Sequence, residues 1–517
     1  MIGVVLMNSR LIRPISLFTF SCIVSVGTLL LYNIPFFNYV TNNTNEDVGG
    51  KIVLLTSLVV IMLVLNFMMT YLVMYCLRVV GRILLAILAL INATAVYFIF
   101  TYGVMMDATT IGNVFNTRYS EASGFFSWSL WLSILVFGVL PALYCLLQPV
   151  VIGTAKKMGV YCGSSLAIVL VLALVNINQT LWIGQHDTEL GGLLQPWSYL
   201  VNTVRMASDK MDQQAEEIKL PDGRITDNEK AVVVLVIGES ARKANFQLYG
   251  YQRNNNPLLS KQEGLKVFQA TSCATYTTAG SKAILEPKIS DELYELLPNY
   301  AFRTGADVSW RTSNWGEPPI HIDEYLTDGD LSAQYPDENS DYDGILFKGL
   351  RERIASSKKN KVLIILHTST SHGPNYADKY PKEFEVYKPV AKNVEEGEKN
   401  VGMLVNAYDN TILYTDYLLS NLINTLRSME GWNSAMIFIS DHGESLGENN
   451  IFMHGIPMRL APKVQYEIPF LVWTSRHFRD YKNSLPAVLE QHYIFHSVLN
   501  LLSIESPTYN KDYDIFN

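Results

Sequence analysis

Apolar residues dominate the first 180 positions of the chain and then thin out. Five long apolar stretches, at about 11–37, 51–77, 80–104, 125–151 and 158–181, are separated by short polar breaks. Each is close to the roughly 20 residues a helix needs to cross a bilayer. A cleaved signal peptide would account for the first stretch alone. It has no clear small-residue cleavage site, and four more stretches follow. The pattern predicts a five-helix transmembrane domain over 1–182.

After residue 230 the period changes. Short apolar runs at 231–238, 306–311, 361–367, 434–440 and 468–474 read as strands. They alternate with helical spacing near 278–300, 342–357, 400–428 and 490–503. This alternation predicts an α/β domain over 231–517, with a central, largely parallel sheet flanked by helices. Between the two, residues 183–230 predict an amphipathic linker at the membrane interface. Trp197 and Tyr199 suit that interface, or equally an ordinary helix packed on the soluble domain.

Charge sets the orientation. Arg10 and Arg13 lie at the start of the first stretch, Arg78 and Arg82 at the junction of the second and third, and Lys156 and Lys157 between the fourth and fifth. The other two loops are poor in cations. The N-terminus is therefore expected in the cytoplasm and everything after about residue 182 across the membrane. A net charge of -8 with no basic tract points away from nucleic acid. Cys22, Cys76, Cys145 and Cys162 fall in or beside apolar stretches, so Cys273 alone lies in the exported part and can form no disulfide within it.

Candidate chemistry sits where the apolar runs stop. The first strand ends at Glu239, "LIILHTSTSHGP" ends at His367 and continues to His372, and "SAMIFISDHGES" ends at Asp441 and His442. In parallel sheets, ligands bind beyond the carboxyl ends of the strands. Carboxylates with an imidazole suit a divalent metal, commonly zinc. The bland alternative is a set of satisfied turn residues. "TSCATYTTAGSKAIL" offers Thr271, Ser272, Thr275, Thr277, Thr278 and Ser281 ahead of a helix. A hydroxyl there could be a metal-activated nucleophile. Spacing alone favours simple helix capping, because several hydroxyls compete. His454 and Arg459 follow closely and could hold phosphate oxygens.

Taken together, "IGESARKANFQLYGYQRNNNP", "SCATYTT", "SHGPNY", "AYDNTILYTDY" and "SDHGESLGENNIFMHGIPMRLAP" resemble the phosphoethanolamine transferases of Gram-negative envelopes. That family includes lipid A modifying and mobile colistin-resistance enzymes, and its fold is alkaline-phosphatase/sulfatase-like. The resemblance covers nearly the whole chain. It implies a multi-pass inner-membrane enzyme, monomeric, with a periplasmic catalytic domain. It implies transfer of phosphoethanolamine from phosphatidylethanolamine, through a threonine, to a lipid A phosphate or related envelope glycan. It also implies one zinc ion, with room for a second. By motif, Glu239, Thr277, Asp441 and His442 match the metal ligands, and Thr277 the nucleophile. His372 and His454 match histidines that bind substrate phosphate or a second zinc. Asn113, Thr117 and Glu121 resemble residues that hold the donor's ethanolamine head.

Two departures stand out. The family places a disulfide beside the nucleophile, which Cys273 cannot form; packing alone is then expected to anchor the helix. "WRTSNWGEPPIHIDEY" differs from the family's usual stretch, and its Trp315, Glu317 and His321 are expected to reshape the acceptor side. A phosphoglycerol transferase or phosphodiesterase of the same superfamily is the alternative. A sulfatase would want a modified residue in a Cys-x-Pro-x-Arg context, which Cys273 lacks. A scaffold without activity would not need Glu239, Thr277, Asp441 and His442 together.

Overall fold

The computed structural model describes residues 13–516, apart from 45–47, 108–109, 113, 115–121, 123–124, 177–181, 184–185, 213–216, 316, 337–340, 374, 393, 450, 477 and 479. The chain divides into two compact units, Met1–Phe115 with Phe126–Lys210, and Asn116–Phe125 with Met211–Asn517.

The first unit is helical. Helices α1 (Leu17–Tyr32) and α2 (Ile34–Asn43) form a pair bent by 60°. Helices α3 (Val48–Leu77), α4 (Val79–Tyr102), α5 (Trp128–Leu147) and α6 (Ala155–Val175) are each long and apolar enough to span a membrane. The count among the described residues is thus four spans, or five if the bent pair makes one. The bend has a local cause. Pro35 cannot donate a backbone hydrogen bond. The Asn33 amide donates to Thr28 O at 3.1 Å and Gln195 O at 3.0 Å, and its Oδ1 accepts from Gln195 N–H at 2.9 Å. On α6, Leu166, Leu170, Val171 and Leu174 are all exposed. Such a face would be costly in water and suits lipid.

Helix α7 (Trp197–Asp212) starts inside this unit. Trp197 Nε1 donates to Asn66 Oδ1 at 2.9 Å, and the Tyr199 hydroxyl to Asn92 Oδ1 at 3.0 Å. Both rings are therefore tied to the long apolar helices α3 and α4. The helical spacing was legible here, but its partners were not.

The second unit is built on one mixed sheet. Its strands are β1 (Ala231–Gly238), β2 (Lys266–Thr271), β3 (Asp307–Thr312), β4 (Glu324–Thr327), β5 (Lys361–His367), β6 (Asn433–Ser440), β9 (Glu467–Thr474) and β10 (Leu489–Glu490). A separate hairpin pairs β7 (Ser445–Glu448) with β8 (Ile451–Met453). The order across the sheet is β10-β2-β9-β6-β1-β5-β3-β4. Strands β6, β1, β5, β3 and β4 are parallel, while β9 runs antiparallel to both β6 and β2. Strands β1 and β5 are buried along their whole length, as apolar runs covered on both faces should be.

The helices of the unit include α8 (Thr277–Leu285), α9 (Leu297–Thr304), α10 (Leu350–Ala355), α11 (Val401–Arg427) and α12 (Tyr493–Leu501). The single helix expected over 278–300 is two, because Pro287 breaks it. Glu286 ends α8, and one of its oxygens accepts from Tyr294 N–H at 3.1 Å. Burial pushes the Glu286 carboxyl up to about 7, with Lys282 only partly offsetting it. A raised pKa means that the folded state holds its proton longer than the unfolded chain. Stability should then fall as pH rises from the usual carboxylate range to about 7. The slope is at most about 1.4 kcal/mol per pH unit. Glu286→Gln should flatten that fall in thermal unfolding of the detergent-solubilised chain.

Candidate functional site

The parallel strands β1, β5 and β6 lie side by side, so their carboxyl ends share one edge. Glu239 follows β1, His367 ends β5, and Asp441 and His442 follow β6. The turn after β1 is strained. Ser240 has φ 54°, unusual for a residue with a side chain. The surroundings hold it there. Its N–H donates to Asp441 Oδ1 at 3.1 Å, its carbonyl accepts from the Tyr408 hydroxyl at 2.7 Å, and its Oγ donates to Glu239 Oε1 at 2.8 Å.

The hydroxyl cluster resolves clearly. Thr277 is the first residue of α8, whose N-cap, Tyr276, makes no side-chain capping bond. Thr275 Oγ1 donates to Ile456 O at 2.7 Å, Ser272 Oγ to Ala274 O at 2.5 Å, and Thr278 is exposed. The capping reading therefore fails. Thr277 Oγ1 lies 3.2 Å from Glu239 Oε2 and 3.4 Å from His442 Nε2. His442 Nε2 lies 3.1 Å from Glu239 Oε1 and 3.5 Å from Asp441 Oδ2.

These spacings test whether a cation fits. Bonds of about 2.1 Å to a tetrahedral ion put its ligand atoms roughly 3.4 Å apart. The four observed spacings bracket that value. Asp441 Oδ1 accepts from its neighbour His442 N–H at 2.7 Å as well as from Ser240, whereas Oδ2 is buried with no hydrogen bond. Two donor groups suited to a metal share Glu239. One adds His442 and His454, the other His367 and Asp441.

The electrostatics agree. Burial alone would raise Glu239, but the His442 imidazole, with His372 and His454, outweighs it and holds the carboxyl well below its ordinary value. Burial and the Glu239 charge push Asp441 well above its own. Two carboxylates this close, both fully buried, cannot share the site as anions without a cation between them. Burial would lower His442, yet Glu239 raises it overall. Burial depresses His372 to about 3, against the pull of Glu239.

Two further imidazoles line the same place. His372 Nε2 is 4.0 Å from Glu239 Oε1. The His454 ring centroid is 4.3 Å from that of His442 and 5.4 Å from that of His372. His454 Nδ1 is 3.3 Å from the buried Glu444 carboxylate.

Comparison with known proteins places this geometry in a family. A sulfatase family model matches residues 231–504, and a model described as phosphoethanolamine transferase EptA/EptB matches residues 61–211. Phosphoethanolamine transferase EptA of Helicobacter pylori is 36% identical over 517 residues, covering 97% of this chain and 96% of that protein. The chain belongs to the phosphoethanolamine transferase family. The integral membrane lipooligosaccharide phosphoethanolamine transferase A (EptA) from Neisseria meningitidis superposes with a TM-score of 0.84 at 25% identity, over 96% of this chain and 98% of that one. The C-terminal periplasmic domain of EptC from Campylobacter jejuni superposes with a TM-score of 0.51 at 30% identity, over 58% of this chain and 97% of that one.

Helix α8 of this phosphoethanolamine transferase family member is anchored by more than packing. Cys273 N–H donates to Gln491 Oε1 at 3.1 Å, and Cys273 Sγ lies 3.8 Å from Ala279 O. Gly280 rests directly on the Asp441 peptide, where an added Cβ would meet Asp441 O at 2.3 Å. Gly280→Ala must therefore push α8 away from Asp441. The expected result is a loss of about 1–3 kcal/mol in stability and a clear drop in transfer, read by thermal unfolding and vesicle assay.

The remaining expectations fare unevenly. Arg459 and His321 are exposed. Trp315 packs edge-on against His372, with ring centroids 6.4 Å apart. Glu317 accepts from His367 Nδ1 at 2.9 Å, so it lies behind the cluster as a support for His367. Asn113, Thr117 and Glu121 lie outside the described residues. Sequence reasoning missed Asn314, whose amide donates to Glu239 Oε2 at 2.7 Å and to Thr368 O at 2.9 Å. It follows the carboxyl end of β3, so the strand-end rule that found Glu239 could have found it.

Proposed function

We propose that the chain transfers phosphoethanolamine from phosphatidylethanolamine to a lipid A phosphate or a related envelope glycan, with Thr277 as nucleophile. The observation that carries this reading is the Thr277 hydroxyl, set within 3.4 Å of both Glu239 and His442 at the start of a helix. A helix N-terminus favours the negative charge of a phosphoryl group. Glu239, Thr277, Asp441 and His442 would hold one zinc ion, with His372 and His454 available to substrate phosphate or a second ion. Zinc at this site would lower the pKa of the threonine hydroxyl and offset phosphate charge.

Transfer runs in two halves. In the first, the bond from Thr277 Oγ1 to phosphorus forms and the phosphorus–oxygen bond to diacylglycerol breaks. The threonine proton ends on the diacylglycerol hydroxyl. In the second, an acceptor oxygen takes the phosphoethanolamine, and the acceptor's proton restores the hydroxyl. His372 stays neutral near pH 7, because burial holds its pKa at about 3. A neutral imidazole there would offer the substrate phosphate one N–H donor. Asn113, Thr117 and Glu121 are the proposed contacts of the ethanolamine head.

The apolar helices support a lipid donor. The cation-rich loops support an N-terminus in the cytoplasm, five spans in the inner membrane and a catalytic unit in the periplasm. The names of the Neisseria and Campylobacter relatives, an integral membrane protein and a periplasmic domain, support that placement. A curated relative named Kdo(2)-lipid A phosphoethanolamine 7''-transferase supports a lipid A acceptor. The test is mass spectrometry of lipid A from Gram-negative cells expressing the chain. A phosphoethanolamine increment is expected with the parent and not with Thr277→Ala. A phosphoglycerol increment would instead favour the related transferase chemistry.

A further inference from the structure

Gln491 is fully buried and lies 50 positions from Asp441 and 218 from Cys273 along the chain. It sits directly after β10, which pairs with the end of β2 through Leu489↔Ala270 and Glu490↔Thr271. Its side chain joins two segments. Oε1 accepts from Cys273 N–H at 3.1 Å, on the loop that leads into α8. Nε2 donates to Asp441 O at 2.6 Å and to Ser440 O at 3.2 Å, at the end of β6. Both ends of the amide are thus engaged, and its orientation is fixed.

The geometry around Asp441 shows why this matters. The Asp441 carbonyl is held between Gln491 Nε2 on one contact and Gly280 of α8 on another. On its other side, the Asp441 carboxylate is oriented by Ser240 N–H and His442 N–H. Thr277 is three residues before Gly280 on the same helix. Any shift of the Cys273 loop against Asp441 therefore changes the distance from Thr277 Oγ1 to His442 Nε2. Interactions between buried groups with no access to water are well suited to fixing such a distance. A misplacement of about 1 Å costs on the order of 100-fold in a positioned reaction.

We propose that Gln491 is a positioning residue for the nucleophile. Its side-chain amide clamps the loop that starts the Thr277 helix to the backbone of Asp441, and so sets the approach of the hydroxyl to Asp441 and His442. The three hydrogen bonds of the Gln491 side chain all go to backbone atoms. Gln491 acts through Cys273 and Asp441. The inference rests on the transferase reading for its effect on rate, though the clamp itself does not.

Gln491→Met keeps the length of the side chain and removes its three hydrogen bonds. In the full chain, assayed with phosphatidylethanolamine vesicles, it should lower kcat by about tenfold or more, leave KM for the donor within about twofold, and retain zinc. Gln491→Glu keeps the acceptor for Cys273 N–H but sets a carboxylate against two carbonyl oxygens. Its activity should be low at neutral pH and recover as the pH falls, because the protonated acid donates to Asp441 O again. Hydrogen exchange at the Cys273 amide should quicken in Gln491→Met. An unchanged kcat per folded molecule in both variants would overturn the role in positioning, and so would a loss confined to KM. Equal protection of the Cys273 amide in parent and variant would overturn the clamp, whether or not the parent proves to be a transferase. If the parent transfers nothing, the functional reading fails separately.

Discussion

Thr277→Ala should lower transfer by at least about 1,000-fold while the chain stays folded and membrane-inserted. Three other hydroxyls of the cluster are not placed to replace it. Thr275 is committed to Ile456 O, Ser272 to Ala274 O, and Thr278 is turned to solvent. The structural cost should be small. The methyl and hydroxyl of one buried threonine are lost, with contacts to Glu239 worth about 1 kcal/mol. The measurement is transfer of a labelled phosphatidylethanolamine in vesicles, beside circular dichroism of the same preparation. Thr277→Ser should keep partial activity, since it restores the oxygen without the methyl group that fixes its rotamer.

Asp441→Asn should have opposite effects on stability with and without zinc. In the metal-free protein, Asp441 and Glu239 are two carboxylates buried in one place, and the Glu239 charge helps to push Asp441 well up. Asparagine keeps an oxygen to accept from Ser240 and His442 N–H but removes that repulsion. The metal-free variant should therefore be as stable as the parent or more so, by about 1 kcal/mol. With zinc the sign reverses. A charged ligand is lost, so zinc affinity should fall by more than the roughly 10–100-fold typical of an outer partner. The parent should gain far more in melting temperature from zinc than the variant. Thermal unfolding with excess chelator and then with added zinc reads both halves. Equal gains in parent and variant would remove Asp441 from the metal site.

Much of the candidate site's edge was legible because β1, β5 and β6 are unbroken apolar runs, and a polar residue that ends such a run is conspicuous. Glu239, His367, Asp441 and His442 all announce themselves in this way. The strands at the two edges of the sheet, and β2 beside one of them, were harder. Strand β2, "KVFQAT", leaves most of its side chains partly or fully exposed, while β4 and β10 are short. None carries a run that period alone can detect. The break at Glu286–Pro287 could have been read from the proline, as could the bend beside Pro35.

The choice among hydroxyls was not legible from spacing. Helix capping and nucleophilic chemistry ask for the same residue types at the same place, and only the three-dimensional partners separate Thr277 from Thr275. The partners of Cys273 were hidden for a different reason. Gln491 lies 218 positions away along the chain, and a buried glutamine carries no local pattern. Trp197 and Tyr199 show the same limit. Their helical spacing was plain, but asparagines on two apolar helices decide where the rings dock.

The most direct test of the central claim is peptide mapping by mass spectrometry of the purified full chain, incubated with phosphatidylethanolamine vesicles and no acceptor. One phosphoethanolamine is expected on the peptide that carries Thr277, fragmenting to that residue, and none in Thr277→Ala. Modification at Thr275 or Thr278 would contradict the assignment of the nucleophile. Release of diacylglycerol with no phosphoethanolamine ever attached to the chain would contradict the two-half reaction itself.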